Sequence, residues 1–134
     1  DWSKEEDEQI RYYSGTAVYK TTFRWKSKVK EDQQVYLNLG KVCDLATVRV
    51  NGIDCGTIWT APYRADITAA LKKGVNELEI EVTNTWANAL KGADEGKAPF
   101  DGIWTNAKYR RAENTLLPAG LLGPLNFDVA NKNK

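Results

Sequence analysis

Residues 46–68 read ATVRVNGIDCGTIWTAPYRADIT, and this stretch sets the architecture of the whole chain. Val48 and Val50 alternate with Thr47 and Arg49 ahead of Asn51-Gly52, and Ile53 and Cys55 flank Asp54 behind it. Asn-Gly between two alternating runs specifies a two-residue type I′ hairpin, because both turn residues must take positive φ. The register then sets Val50 opposite Ile53, Val48 opposite Cys55, and Arg49 opposite Asp54 as a favourable cross-strand pair. Trp59 follows the hairpin, and Pro62-Tyr63 opens another short strand. Trp59 either closes one end of a sandwich or offers its face to a pyranose. Buried aromatics outnumber ligand platforms in small domains, which favours the first reading.

The same alternation runs outward in both directions. Ala17, Tyr19, Thr21, Phe23 and Trp25 share one face of a strand. Val35, Leu37 and Leu39 share another, as do Leu78, Ile80 and Val82, and Leu125, Phe127 and Val129. A period of two argues half-buried antiparallel strands. Helix is scarce. Residues 66–74 (DITAALKKG) predict one or two helical turns, capped by Asp66 or Thr68 and stopped by Gly74. Residues 7–15 (DEQIRYYSG) read as an entering strand ending at Gly15. Residues 27–34 form a charged turn, and residues 131–134 a frayed tail. Residues 86–123 read as a long irregular segment, with Trp86, Phe100, Trp104 and Tyr109 to anchor it. Seven or eight short strands with Gly and Pro turns predict an all-β fold, an antiparallel jelly-roll β-sandwich.

The chain has 134 residues, which predicts one domain over residues 1–134. Its 19 basic and 18 acidic residues leave a net charge of +1, so no overall electrostatic footprint points to nucleic acid or an anionic membrane. No apolar run approaches the ~20 residues of a membrane span. No signal peptide is visible, and the opening Asp1-Trp2 with its acidic cluster reads as the edge of an excised domain. Histidine is absent, which removes the Ser-His-Asp triad, the Cys-His dyad and histidine metal ligands. Extended along the hairpin, Cys43 falls opposite Thr60, about 17 Å from Cys55 at a strand's rise per residue. A disulfide needs Cα atoms within about 7 Å, so two free thiols are expected, with Cys55 a small buried hydrophobe.

VNGIDCG (50–56), PYRADIT (62–68), TNTWANALKG (83–92) and LLPAGLLGP (116–124) carry a family likeness. With YYSGTAVYKTTF and YLNLGKV before them, they resemble in order the galactose-binding-like β-sandwich of large bacterial glycoside hydrolases. The chain is similar to the C-terminal sandwich of family 106 α-L-rhamnosidases and to the sugar-binding-type sandwich of family 2 β-glycosidases. The resemblance implies a galactose-binding-domain-like jelly roll and a periplasmic or secreted parent enzyme. It also implies that this piece is an accessory domain, with catalysis elsewhere on the parent. The rhamnosidase-like pattern reads Trp-Pro-Asn-Arg where this chain has Trp86-Ala87-Asn88-Ala89. The role of that arginine is therefore not carried over to Ala89.

Several residue sets suit a sugar, and each has a structural alternative. Trp59 with Tyr63 could stack on a pyranose face, the ring C–H groups meeting the π cloud. Trp86 with Asn84 and Asn88 combines a ring with amides for hydroxyls, or anchors a loop through Asn capping. PFDGIWTNAKYRR (99–111) brings Asp101, Trp104, Asn106, Tyr109, Arg110 and Arg111 close in sequence. That is a carbohydrate-binding set, or an interface to a catalytic domain, where Trp, Tyr and Arg are also favoured. Glu77, Glu79 and Glu81 have a spacing that a glycosidase pair permits. A flat strand face lacks the burial that a general acid needs, however. The stripe reads as a solvated face opposite Lys20, Arg24 and Lys26. No cofactor is implied, although Asp94, Glu95 and Asp101 could offer oxygens to a structural Ca²⁺. The leading reading is a non-catalytic accessory domain partnered by the parent's catalytic domain and contributing to glycan binding. An autonomous carbohydrate-binding module is the alternative, and a stand-alone glycosidase using a carboxylate pair stands third.

Overall fold

A computed structural model describes residues 1–97, 102–106 and 116–132. Among them lie eight strands: β1 (Thr16–Trp25), β2 (Gln33–Cys43), β3 (Leu45–Val50), β4 (Ile53–Ile58), β5 (Tyr63–Asp66), β6 (Gly74–Thr83), β7 (Gly120–Gly123) and β8 (Asn126–Asn131). A 3-10 turn (Trp2–Lys4) and two helices, α1 (Glu8–Arg11) and α2 (Ala87–Asp94), complete the described elements. One sheet has the order β1-β6-β3-β4. The other has β5-β2-β7, with β8 also paired to β2. Every pairing is antiparallel.

The alternation seen in the sequence builds the core. Val35, Leu37 and Leu39 of β2 face Val48 and Val50 of β3 and Ile80 and Val82 of β6, and all are buried. Their polar neighbours turn outward, because a period of two leaves each strand one face for the core and one for water. At one side, Phe127 of β8 packs against Phe23 and Trp25 of β1, with ring centroids 4.9 and 5.4 Å apart. Nearby, the Trp2 indole N–H donates to the Tyr19 hydroxyl at 2.7 Å.

The Asn51-Gly52 turn takes positive φ at both residues, and Arg49 pairs with Asp54 and Val50 with Ile53, as expected. Beyond Arg49 the register slips by one, to Thr47 with Thr57 and Ala46 with Ile58. A bulge therefore lies opposite Val48, and Gly56, with φ of 108°, accommodates it. Cys43 does not continue this hairpin. It ends β2, pairs with Gly120, and hands the chain across to the other sheet through Asp44. Both thiols are free, as expected. Cys55 is half-buried rather than buried.

Two local expectations are corrected, and a third, the one or two turns over residues 66–74, is met at its shorter limit. Residues 7–15 are not a strand: the Asp7 carboxylate accepts from the Gln9 N–H at 2.8 Å, and this cap starts α1 instead. Residues 66–74 form one turn, closed by the Leu71 N–H on the Ile67 carbonyl, because β5 claims Asp66 and β6 claims Gly74. The segment 86–123 is not irregular throughout, since α2 and β7 occupy its two ends. No helix among the described residues is long and apolar enough to cross a membrane.

Candidate functional site

Strand directions gather most of the sequence-picked aromatics at one end of the sandwich. Thr16 of β1 pairs with Thr83 of β6, Thr83 with Leu45 of β3, and Ala46 with Ile58 of β4. Cys43 and Gly120 meet at the same end of the facing sheet. Trp59 leaves this end directly after β4, and Trp86 leaves it shortly after β6. Trp104 belongs to the connection from α2 to β7, and β7 starts here.

Trp59 is 71% exposed, Trp86 58% and Trp104 78%. Trp59 is thus not the core plug favoured from sequence, because the core is already closed by the aliphatic faces of both sheets. Tyr63 is half-buried and packs on the core. The amides are consumed internally. The Asn84 side chain accepts from the Gly15 N–H at 2.8 Å and donates to the Tyr13 carbonyl at 2.8 Å. Asn88 is 2% exposed, and its carboxamide donates to the Leu117 carbonyl and accepts from the Leu117 N–H, both at 2.8 Å. Asn88 therefore ties α2 to the segment leading into β7 and is buried away from any ligand. Asn106 is exposed, whereas Asp101, Tyr109, Arg110 and Arg111 lie outside the described residues. Ala89 is fully buried and its backbone N–H donates to the Ser14 hydroxyl oxygen at 3.1 Å, so a long basic side chain has no room at this position.

The carboxylate stripe sits on an open, polar sheet face. Arg49 donates to Glu81 at 2.9 Å and to Glu79 at 3.3 Å, and Lys20 lies 3.6 Å from Glu79. Lys20 is the partner expected, but Arg49 is the main one. The depression beside it, about 570 Å³, is shallow and lined by Lys20, Arg49, Glu77 and Glu79. Paired carboxylates on a wet face do not form the buried acid that glycoside cleavage needs. Among the described residues no group of three His, Cys, Asp or Glu side chains could hold a metal ion. Of the three acids considered for Ca²⁺, Glu95 is engaged. It accepts from the Tyr12 hydroxyl at 3.0 Å and pairs with Lys91 at 3.4 Å. The Tyr12 bond is the main reason its carboxyl titrates below its ordinary value.

The sandwich and its order of motifs match the family model of the glycosyl hydrolase 2 galactose-binding domain-like proteins over residues 2–116. This chain belongs to that family. A protein of Formosa agariphila with a provisional name as a β-glucuronidase is 39% identical; the match covers 96% of this chain and 13% of that protein. A solved rhamnosidase from Novosphingobium sp. PP1Y superposes with a TM-score of 0.85 at 43% identity, covering 96% of this chain and 12% of that one. An FMN-binding β-glucuronidase from Facaelibacterium prausnitzii L2-6 superposes with a TM-score of 0.58 at 26% identity, covering 89% and 16%. The chain thus spans about one-eighth of the length of the first two relatives.

Within this galactose-binding-like domain, two features escape a reading by strand pattern. The Asn51 and Asn76 side chains join in a buried network behind the hairpin turn. Lysines from two connections and from the residue after β8 meet at the end opposite the tryptophans. The repeated lysines at 26, 28 and 30 and the pair at 72 and 73 were the available signal.

Proposed function

We propose that this chain is a non-catalytic accessory domain of a multidomain glycoside hydrolase, seated on the catalytic domain through its tryptophan-bearing end. The observation that carries this reading is the exposure of Trp59 and Trp104, 71% and 78%, on a domain about one-eighth the length of its relatives. Large exposed indoles are costly in water and are enriched where protein surfaces meet. Seated there, the domain would also border the parent's substrate cleft. The chemistry of bond cleavage belongs to the rest of the parent. A periplasmic or secreted location, implied by the family likeness, is part of the same proposal.

The same exposed rings favour a second reading, an autonomous carbohydrate-binding module. Against it stands the internal use of Asn84 and Asn88, which leaves the rings few fixed polar partners. Intrinsic fluorescence and NMR shifts of the isolated chain, titrated with L-rhamnose, galactose and their oligosaccharides, separate the two. The docking reading predicts no saturable response at Trp59, Trp86 or Trp104 with the fold intact. Saturable shifts confined to those rings would replace it with the binding module.

A further inference from the structure

Two connections and the residue that follows β8 bring five lysines to one cleft. Lys28 and Lys30 come from the β1–β2 connection, Lys72 and Lys73 from the β5–β6 connection, and Lys132 directly follows β8. The cleft is an open one of about 580 Å³. Val29 and Leu71 give it apolar wall, and Glu31 is its lone lining carboxylate. Among the described residues, none of the five ammonium groups has a carboxylate within ion-pair distance; Lys20, Lys91 and Lys97 elsewhere are paired, and Lys4, Lys26 and Lys41 are not, so what sets the five apart is their convergence on one cleft. The chain as a whole carries only +1, so this is local asymmetry and not general basicity.

The loops are held in place. Asn76, fully buried, accepts from the Lys72 N–H at 2.9 Å and donates to the Lys72 carbonyl at 2.8 Å. The Lys132 N–H donates to the Asp32 carbonyl at 2.7 Å, tying the end of β8 to the β1–β2 connection. Five like charges around one cleft repel each other, although their flexible stems let them spread in part. An anionic occupant relieves that repulsion.

We propose that this cleft binds an anionic polysaccharide, its carboxylate or sulfate-ester groups held by Lys28, Lys30, Lys72, Lys73 and Lys132 and its ring C–H faces set on Val29 and Leu71. The choice of a glycan over another polyanion rests on the glycoside-hydrolase reading above. Lysine ammonium groups are compact point charges that accept either anionic group, so both sources share one chemistry. The cleft lies at the end opposite Trp59 and Trp86, and thus leaves the proposed docking surface free.

The test is an NMR titration of the chain at low salt with oligogalacturonate, a sulfated carrageenan oligosaccharide, a neutral xylo-oligosaccharide and poly-glutamate. Saturable shifts at residues 28–31, 71–73 and 132 are expected with one or both anionic glycans. The arm that responds identifies the group. Neutral sugar should give no shift, and Lys72→Glu with Lys73→Glu should weaken binding about tenfold or more while leaving the melting temperature unchanged. Lys28→Glu, on a different connection, should weaken it independently. No shifts at the cleft, equal shifts with the neutral sugar, or tighter binding of poly-glutamate would each overturn the proposal. None of these results bears on the tryptophan end, whose protection in the parent enzyme is measured separately.

Discussion

The Asn51 carboxamide donates to the Asn76 side-chain oxygen at 2.9 Å, joining the hairpin turn to the start of β6. Asn51 also donates to the Ala70 carbonyl and accepts from the Glu77 N–H. Asn76 is fully buried, and its carboxamide serves the Lys72 N–H and the Lys72 and Gly74 carbonyls as well. Truncating it strips partners from buried backbone groups. Asn76→Ala is expected to cost about 2–4 kcal/mol. Urea unfolding measures this, and a loss inside the ~0.5 kcal/mol scatter of surface substitutions would contradict the network's role.

Gly40 approaches Gly123 so closely that a Cβ would overlap the Gly123 carbonyl. Its φ of 66° is also a left-handed value that other residues adopt only with strain. Gly40→Ala should therefore cost about 3 kcal/mol or more, since both backbone strain and a backbone clash oppose it. Thermal melting against the parent sequence reads the effect directly.

Glu95 and Tyr12 give the fold a pH dependence. The Glu95 carboxyl lies below its ordinary value of 4.5, chiefly through the Tyr12 hydrogen bond, so the folded state favours its ionised form. Its contribution is present above 4.5 and is lost as pH falls through the lower folded value. Tyr12 is raised above 10.0, first by burial and then by Glu95, so its contribution is present below 10.0 and is lost as pH rises through the folded value. Melting temperatures of Glu95→Gln should fall less steeply in acid than those of the unmodified chain. An unchanged acid slope would show that this contact does not couple to folding.

The two thiols should differ in reactivity. Burial raises both above the ordinary thiol value, which leaves little thiolate at neutral pH. Cys43 is 7% exposed and Cys55 half-buried. A thiol reagent applied to the native chain should label Cys55 first and Cys43 only on unfolding. Equal rates would contradict the burial of Cys43.

The sandwich was legible because Val35, Leu37, Leu39, Val48, Val50, Leu78, Ile80 and Val82 follow strand periodicity without interruption. The hairpin was legible because Asn51-Gly52 admits few conformations. The bulge at Gly56 was not, because glycine marks both turns and bulges. The crossing at Asp44 was hidden for a different reason. A single residue between two strands resembles a strand interior, and only the pairing of Cys43 with Gly120 distinguishes it. At the tryptophan end, residue type suggested the aromatics but not their exposure, which depends on how completely the aliphatic faces close the core. Asn88 looked like a ligand amide because its composition and position fit. Its partner Leu117 lies 29 positions away, beyond any local pattern. The lysine cleft needed two connections and the residue after β8 to converge, which a balanced net charge conceals.

The most direct test of the central claim is covalent footprinting of tryptophan, applied to the isolated chain and to the full-length enzyme that carries it. Trp59 and Trp104 should label rapidly in the isolated chain and be protected in the full-length enzyme, with Trp25, which pairs with Gly74 at the opposite end, unchanged between the two. Equal labelling of Trp59 and Trp104 in both would contradict docking through this end of the sandwich.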